Sequence, residues 1–178
     1  VDVPSDEFPD AAALRLTQQF LASRDADRPA LMFWAPPGPH QPWFVPAEFG
    51  IRYRPEDMEL WPNRHDDFAG KPVYQKKLRA FDSLRGDTGT AEERDARLRE
   101  RMACCFSYME FIDQLVGELV ADLRASGRWE ETAVIFTADH GDMLGAHGLL
   151  SKGGYMYDET YRIPLIFKPP GASAARRS

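Results

Sequence analysis

The sequence predicts an α/β fold in which part of a mainly parallel sheet is flanked by helices, and three observations carry that reading. Three short apolar runs, Ala30–Trp34, Ala133–Thr137 and Pro164–Phe167, have the length and content of buried strands. Helical periodicities alternate with them, in the order helix, strand, loop, helix, strand, loop, strand. Three strands are few, because the mean sheet has about 5–6 and uncovered edges invite pairing. Residues 1–178 therefore read as a single α/β segment of a larger, incomplete domain.

Composition narrows the function classes. With 43% hydrophobic and 12% aromatic residues the chain can bury a sizeable core, which argues against disorder. A net charge of -6, with basic residues scattered apart from Arg176–Arg177, argues against a nucleic-acid partner. No apolar run reaches the roughly 18 residues of a membrane span, and the N-terminus lacks a signal-peptide pattern. The compartment stays open. Adjacent Cys104 and Cys105 suit neither a disulfide framework nor a zinc ribbon and read as helix packing.

In order, Val1–Pro9 reads as a linker, and Asp10 as the cap of a helix running to about Ser23 with Leu14, Leu16, Phe20 and Leu21 apolar. The strand Ala30–Trp34 stops at Pro36-Pro37-Gly38-Pro39, which cannot continue a ladder. From Ala35 to Gly89 no period persists, and more than half of the 14 prolines fall there. That stretch also holds Trp43, Phe44, Phe49, Tyr53 and Trp61, so 35–89 reads as an ordered, functional loop region with a short helix near Pro72–Leu84. Thr90 and Glu93 form a capping box for a long helix whose stripe is Met102, Phe106, Met109, Ile112, Val116, Leu119 and Leu123. Gly127 stops it.

The strand Ala133–Thr137 ends abruptly in Asp139, His140, Gly141 and Asp142, where ligands collect in open α/β sheets. A carboxylate beside an imidazole suits a divalent cation; it equally suits an Asp capping the next turn beside a surface His. Gly141 permits the turn that would bring both side chains to one ion. His147, between Gly145 and Gly148, could return toward His140 as a third ligand or order the loop. Lys152 reads as an exposed lysine or as a fixed charge facing an anion. His40, on a loop at a strand end, reads as a general acid, an anion donor or a histidine packed on Trp43. His65 reads as surface, and Glu110 and Asp113 as hydrogen-bonding residues beside the apolar stripe.

Several of these stretches coincide in one resemblance. Thr132–Gly148, Lys152 and Arg162–Ile166 closely resemble the C-terminal part of the sulfatase catalytic domain, in the alkaline phosphatase superfamily. Pro39-His40-x-Pro42 is similar to the sulfatase loop whose histidine faces the sulfate. The pair Asp139-His140, in place of Asp-Asn, and the short interval to Lys152 resemble choline-sulfatases and phosphonate monoester hydrolases.

The resemblance implies a catalytic pair, His40 and Lys152, and two metal ligands, Asp139 and His140, for calcium or manganese. It implies a sulfate ester or related anionic substrate, with a phosphonate or phosphodiester hydrolase and a non-catalytic module as the other readings. It also implies a formylglycine made within a C-x-P/A-x-R motif in an N-terminal part. This chain has no such motif, because Cys104-Cys105-Phe106-Ser107 lacks its Pro or Ala and its Arg. The missing N-terminal half is then the expected partner.

Overall fold

The computed structural model describes residues 3–81 and 89–172, so the Arg176–Arg177 pair and the end of the expected Pro72–Leu84 helix lie outside the described residues. The chain divides into two compact units. One comprises Val1–Arg54 and Ala103–Thr132, the other Pro55–Met102 and Ala133–Ser178.

In the first unit, helix α1 spans Pro9–Ser23, with proline in its first turn. The capping role expected of Asp10 is not found: Phe8 is the N-cap residue, without a side-chain cap, and Asp10 is 0% exposed. The linker expected before it is also corrected. Ser5–Glu7 form a 3-10 turn, Ser5 donates to the Glu48 carboxylate, and Phe8 sits edge-on to Tyr108 and Phe111. Burying a phenylalanine is worth about 1.5–3 kcal/mol, which offsets part of the conformational entropy lost in ordering the turn before it. Phe8, Ala11, Leu14, Tyr108, Phe111, Leu115 and Leu119 make the core, while Leu16 and Phe20, expected to join it, face outward.

The expected strand Ala30–Trp34 forms no ladder. It is extended in a zigzag: Met32 and Trp34 pack on the core, and Leu31 and Phe33 are exposed. That alternation is the period of a strand, and what it lacks is a partner among the described residues.

Helix α2 spans Val73–Phe81 and α3 spans Ala91–Ala125. The capping box of α3 forms, with the Thr90 amide donating to Glu93 Oε2 at 2.7 Å and the Glu93 amide to Thr90 Oγ1 at 3.2 Å. Its buried stripe runs through Leu98, Met102, Cys105, Tyr108, Phe111, Leu115, Leu119 and Leu123. The expected stripe is displaced in its middle: Met109 is exposed, and Phe106, Ile112 and Val116 are half-buried. The observed stripe includes Tyr108, whose ring belongs to the core while only its hydroxyl needs a partner.

In the second unit, β1 spans Val134–Thr137 and β2 spans Leu165–Lys168. They pair antiparallel, Val134 opposite Lys168 and Thr137 opposite Leu165, which corrects the expectation of parallel strands. A parallel pair needs a crossover of a dozen residues or more, usually a helix. The connection here carries only a 3-10 turn, Ala146–Gly148, and the one-turn helix α4, Asp158–Tyr161. Nor are the strands buried, since Ile135, Phe136, Leu165, Ile166 and Phe167 are exposed. The core of this unit joins Phe68 to Met143, Ala146, Leu149 and Tyr155 of the connection. No helix among the described residues is long and apolar enough to cross a membrane.

Candidate functional site

Strand β1 delivers Asp139 and His140 to a turn held by backbone contacts. The Gly141 amide donates to the Thr160 carbonyl at 2.9 Å, and a Cβ at position 141 would stand 2.0 Å from the Glu159 carbonyl oxygen. Only glycine fits that approach. Asp142 Oδ1 accepts from the Leu144 amide, turning the chain back.

His140 Nδ1 lies 2.8 Å from the Gly141 carbonyl oxygen, which can only accept, so Nδ1 carries a proton and in the neutral ring Nε2 is the nitrogen with the free lone pair. Nε2 stands 3.5 Å from Asp139 Oδ2, and the His140 amide donates to Asp139 Oδ1 at 2.9 Å. Two donors that each approach an ion to about 2.0–2.6 Å sit at such a separation. A backbone carbonyl fixing the far nitrogen is also the usual arrangement behind a metal-binding histidine. The pair fits a divalent cation, with Asp139 exposed to solvent and His140 partly so. No group of three or more His, Cys, Asp or Glu side chains that could hold an ion occurs among the described residues.

His147 is held elsewhere than beside His140. Its Nδ1 donates to Asp66 Oδ2 at 2.5 Å, and Nε2 accepts from Asn63 Nδ2 at 3.1 Å. The ring stacks on Tyr157 with centroids 4.2 Å apart and a 20° interplanar angle. Lys71 ion-pairs with Asp66, donates to the Tyr157 hydroxyl at 3.0 Å and stands 3.2 Å from His147 Nδ1. Burial opposes ionisation of Asp66, yet hydrogen bonds from Lys71, the Phe68 amide and His147 hold its carboxyl well below the usual carboxylate range. Burial likewise opposes the Lys71 charge, and its bonds to Asp66 and Tyr157 raise it above the usual lysine range all the same. Lys152 follows this cluster on the loop between His147 and Tyr157, beside Gly153 at φ +39°.

His40 belongs to the first unit, where buried groups hold its loop. Asp10 accepts from the Gly38 amide at 2.8 Å and from the Tyr108 hydroxyl at 2.7 Å. Burial, then the bond to Asp10, pushes the Tyr108 phenol above its usual range. Trp43 Nε1 donates to the Pro39 carbonyl at 2.9 Å, and the loop has cis peptides before Pro39 and Pro42. His40 Nδ1 donates to the Gln41 carbonyl at 2.6 Å, which again makes Nε2 the unprotonated nitrogen of the neutral ring.

Sequence reasoning missed Asn63, Asp66, Lys71 and Tyr157 around His147, and Asp10 and Tyr108 behind His40. Their partners are too distant along the chain for any local spacing to reveal. His65 is exposed as expected, 3.6 Å from Asp95, and Glu110 pairs with Arg52 at 2.8 Å. Cys105 is buried in α3 and Cys104 is half-buried, so the helix-packing reading stands, and neither residue fits a formylglycine precursor.

The family model described as Sulfatase matches residues 4–178. An uncharacterized sulfatase of Escherichia coli K12, YidJ, is 37% identical over 146 residues, covering 82% of this chain and 27% of that protein. A multifunctional alkaline phosphatase superfamily protein of Trinickia caryophylli, PehA, is 34% identical over 140 residues, 75% of this chain and 27% of that protein. The crystal structure of a phosphonate monoester hydrolase of Agrobacterium radiobacter matches with a TM-score of 0.75 and 27% identity, over 95% of this chain and 34% of that one. The chain thus spans about a third or less of these relatives' length, and it belongs to the sulfatase family, within the alkaline phosphatase superfamily.

Proposed function

We propose that this chain is the portion of a sulfuric ester hydrolase that supplies two metal ligands and the residues contacting the ester's anionic group. Asp139 and His140 hold the divalent cation, calcium or manganese. The observation that carries the reading is the 3.5 Å Asp139–His140 pair, whose tautomer is fixed by the Gly141 carbonyl. A cation bound there would polarise a sulfuryl oxygen as a Lewis acid. Lys152 presents its ammonium to another such oxygen, where charge grows during displacement. His40, with Nδ1 tied to Gln41, gives a proton from Nε2 to the departing alcohol oxygen once the ring is charged.

The formylglycine nucleophile is expected from a part of the parent protein that this sequence does not include. The isolated chain is therefore expected to show no turnover of an aryl sulfate with calcium or manganese added. Turnover that Lys152→Ala abolishes would overturn that expectation and make the chain an enzyme by itself. A phosphonate monoester hydrolase is the second reading, favoured by the structural match to such an enzyme and by the Asp-His pair. An aryl sulfate and a phenylphosphonate ester, offered to the complete protein, separate the two.

A further inference from the structure

We propose that His147 is a positioning residue for Lys152, acting through a clamp at the neck of the loop that carries it. The proposal rests on the reading of Lys152 as the cation that meets the ester's anionic oxygens. His147 and Tyr157 lie at equal sequence distance on either side of Lys152 and stack face to face at 4.2 Å. Both are tied to the same pair: Asp66 accepts from His147 Nδ1, and Lys71 binds Asp66 and donates to the Tyr157 hydroxyl. Asn63 secures Nε2 of His147, and Gln75 accepts from the Tyr157 hydroxyl at 3.0 Å. Every polar atom of the two rings therefore has a partner on the 63–75 segment.

The neck closes a loop that is firm at its base. Leu149 is 0% exposed and Tyr155 1%, the Gly145 amide donates to the Leu149 carbonyl, and Met143 to that of Ser151. Lys152 sits between these anchors. A lysine is a point charge on a flexible stem, so its aim depends on where the backbone starts it. His147 further adopts φ 55°, ψ 20°, a left-handed conformation that few residues accept. Strain of that kind persists where surroundings over-determine it, as the clamp does here.

The test uses the whole chain with His147→Ala, His147→Asn, Asp66→Asn and Lys152→Ala. Amide hydrogen exchange is followed across 148–156, and sulfate is titrated against the same amides by chemical shift. Asparagine tolerates the left-handed backbone and keeps a donor for Asp66, so it is the rescuing variant. Opening one charge-assisted bond should raise exchange in 148–156 about tenfold in His147→Ala and Asp66→Asn, with His147→Asn within about threefold of the parent. Sulfate binding should weaken at least threefold in His147→Ala, recover in His147→Asn, and vanish in Lys152→Ala.

Exchange unchanged in both His147→Ala and Asp66→Asn overturns the clamp. Sulfate affinity unchanged in His147→Ala, while Lys152→Ala abolishes it, overturns the positioning role alone. A titration that Lys152→Ala leaves as it was, or no response in the parent chain, overturns the anion role of Lys152 and the positioning role with it. In that last case the exchange arm still judges the clamp.

Discussion

Asp10 shows how far a single side chain can depart from its local sequence role. At a helix start it reads as a cap, but its carboxylate is fully buried and accepts from Gly38 and Tyr108. Those partners lie 28 and 98 residues away, beyond any local pattern. Asp10→Ala leaves a half-buried amide and a buried phenol unpaired, and should cost about 2–4 kcal/mol. Gly38→Ala tests the same contact from the other side, because the new Cβ would stand 2.6 Å from Tyr108 Cζ and 2.7 Å from Ile112 Cδ1. Overpacking of that kind costs about 1–3 kcal/mol. Urea denaturation measures both, and midpoints within error of the parent chain would show that the loop carrying His40 is not held from behind. As candidates, His40, Asp139, His140 and Lys152 stand out in the sequence because each sits beside a strand end, proline or glycine; Asp66 and Lys71 do not, because nothing periodic surrounds them.

Among elements, the start of α3 and the end of β1, both set by local chemistry, were read correctly, and the pairing of strands, which depends on a distant partner, was not. The capping box at Thr90 starts α3 where its spacing says, and β1 stops at Thr137, just before the ionisable residues. The direction of β1 against β2 and the fate of Ala30–Trp34 depend on what lies alongside, which spacing does not report. The alternation of Ala30–Trp34 survives without a ladder, leaving Leu31 96% and Phe33 89% exposed. Two large apolar side chains left this exposed are an association hazard. Leu31→Lys with Phe33→Lys should therefore change the stability of the isolated chain by less than about 0.5 kcal/mol, while lowering its self-association in light scattering. A loss of more than about 2 kcal/mol would mean that these side chains are buried in solution.

For the molecule as a whole, the family was legible as a resemblance in which several stretches coincide, Thr132–Gly148 with Lys152, Arg162–Ile166 and Pro39-His40-x-Pro42, and the Sulfatase family model matches residues 4–178. What a cation would experience is set by a larger scale, because the described residues offer two donors in one turn. A hard divalent ion takes 6–8 ligands, and even sites with a full set can bind as weakly as about 0.1–1 mM. The isolated chain should accordingly bind manganese with a Kd weaker than about 1 mM. Paramagnetic broadening should be centred on the Gly141 amide, next to His140 and bonded to Thr160. His140→Ala should remove that broadening, since it deletes Nε2, whereas Lys152→Ala should leave it in place. Binding tighter than about 10 μM that survives both His140→Ala and Asp139→Asn would locate the ion elsewhere and sink the assignment of this pair. Tight binding lost in either variant would instead mean that further ligands, from outside the Asp139–His140 turn, complete the shell within this chain.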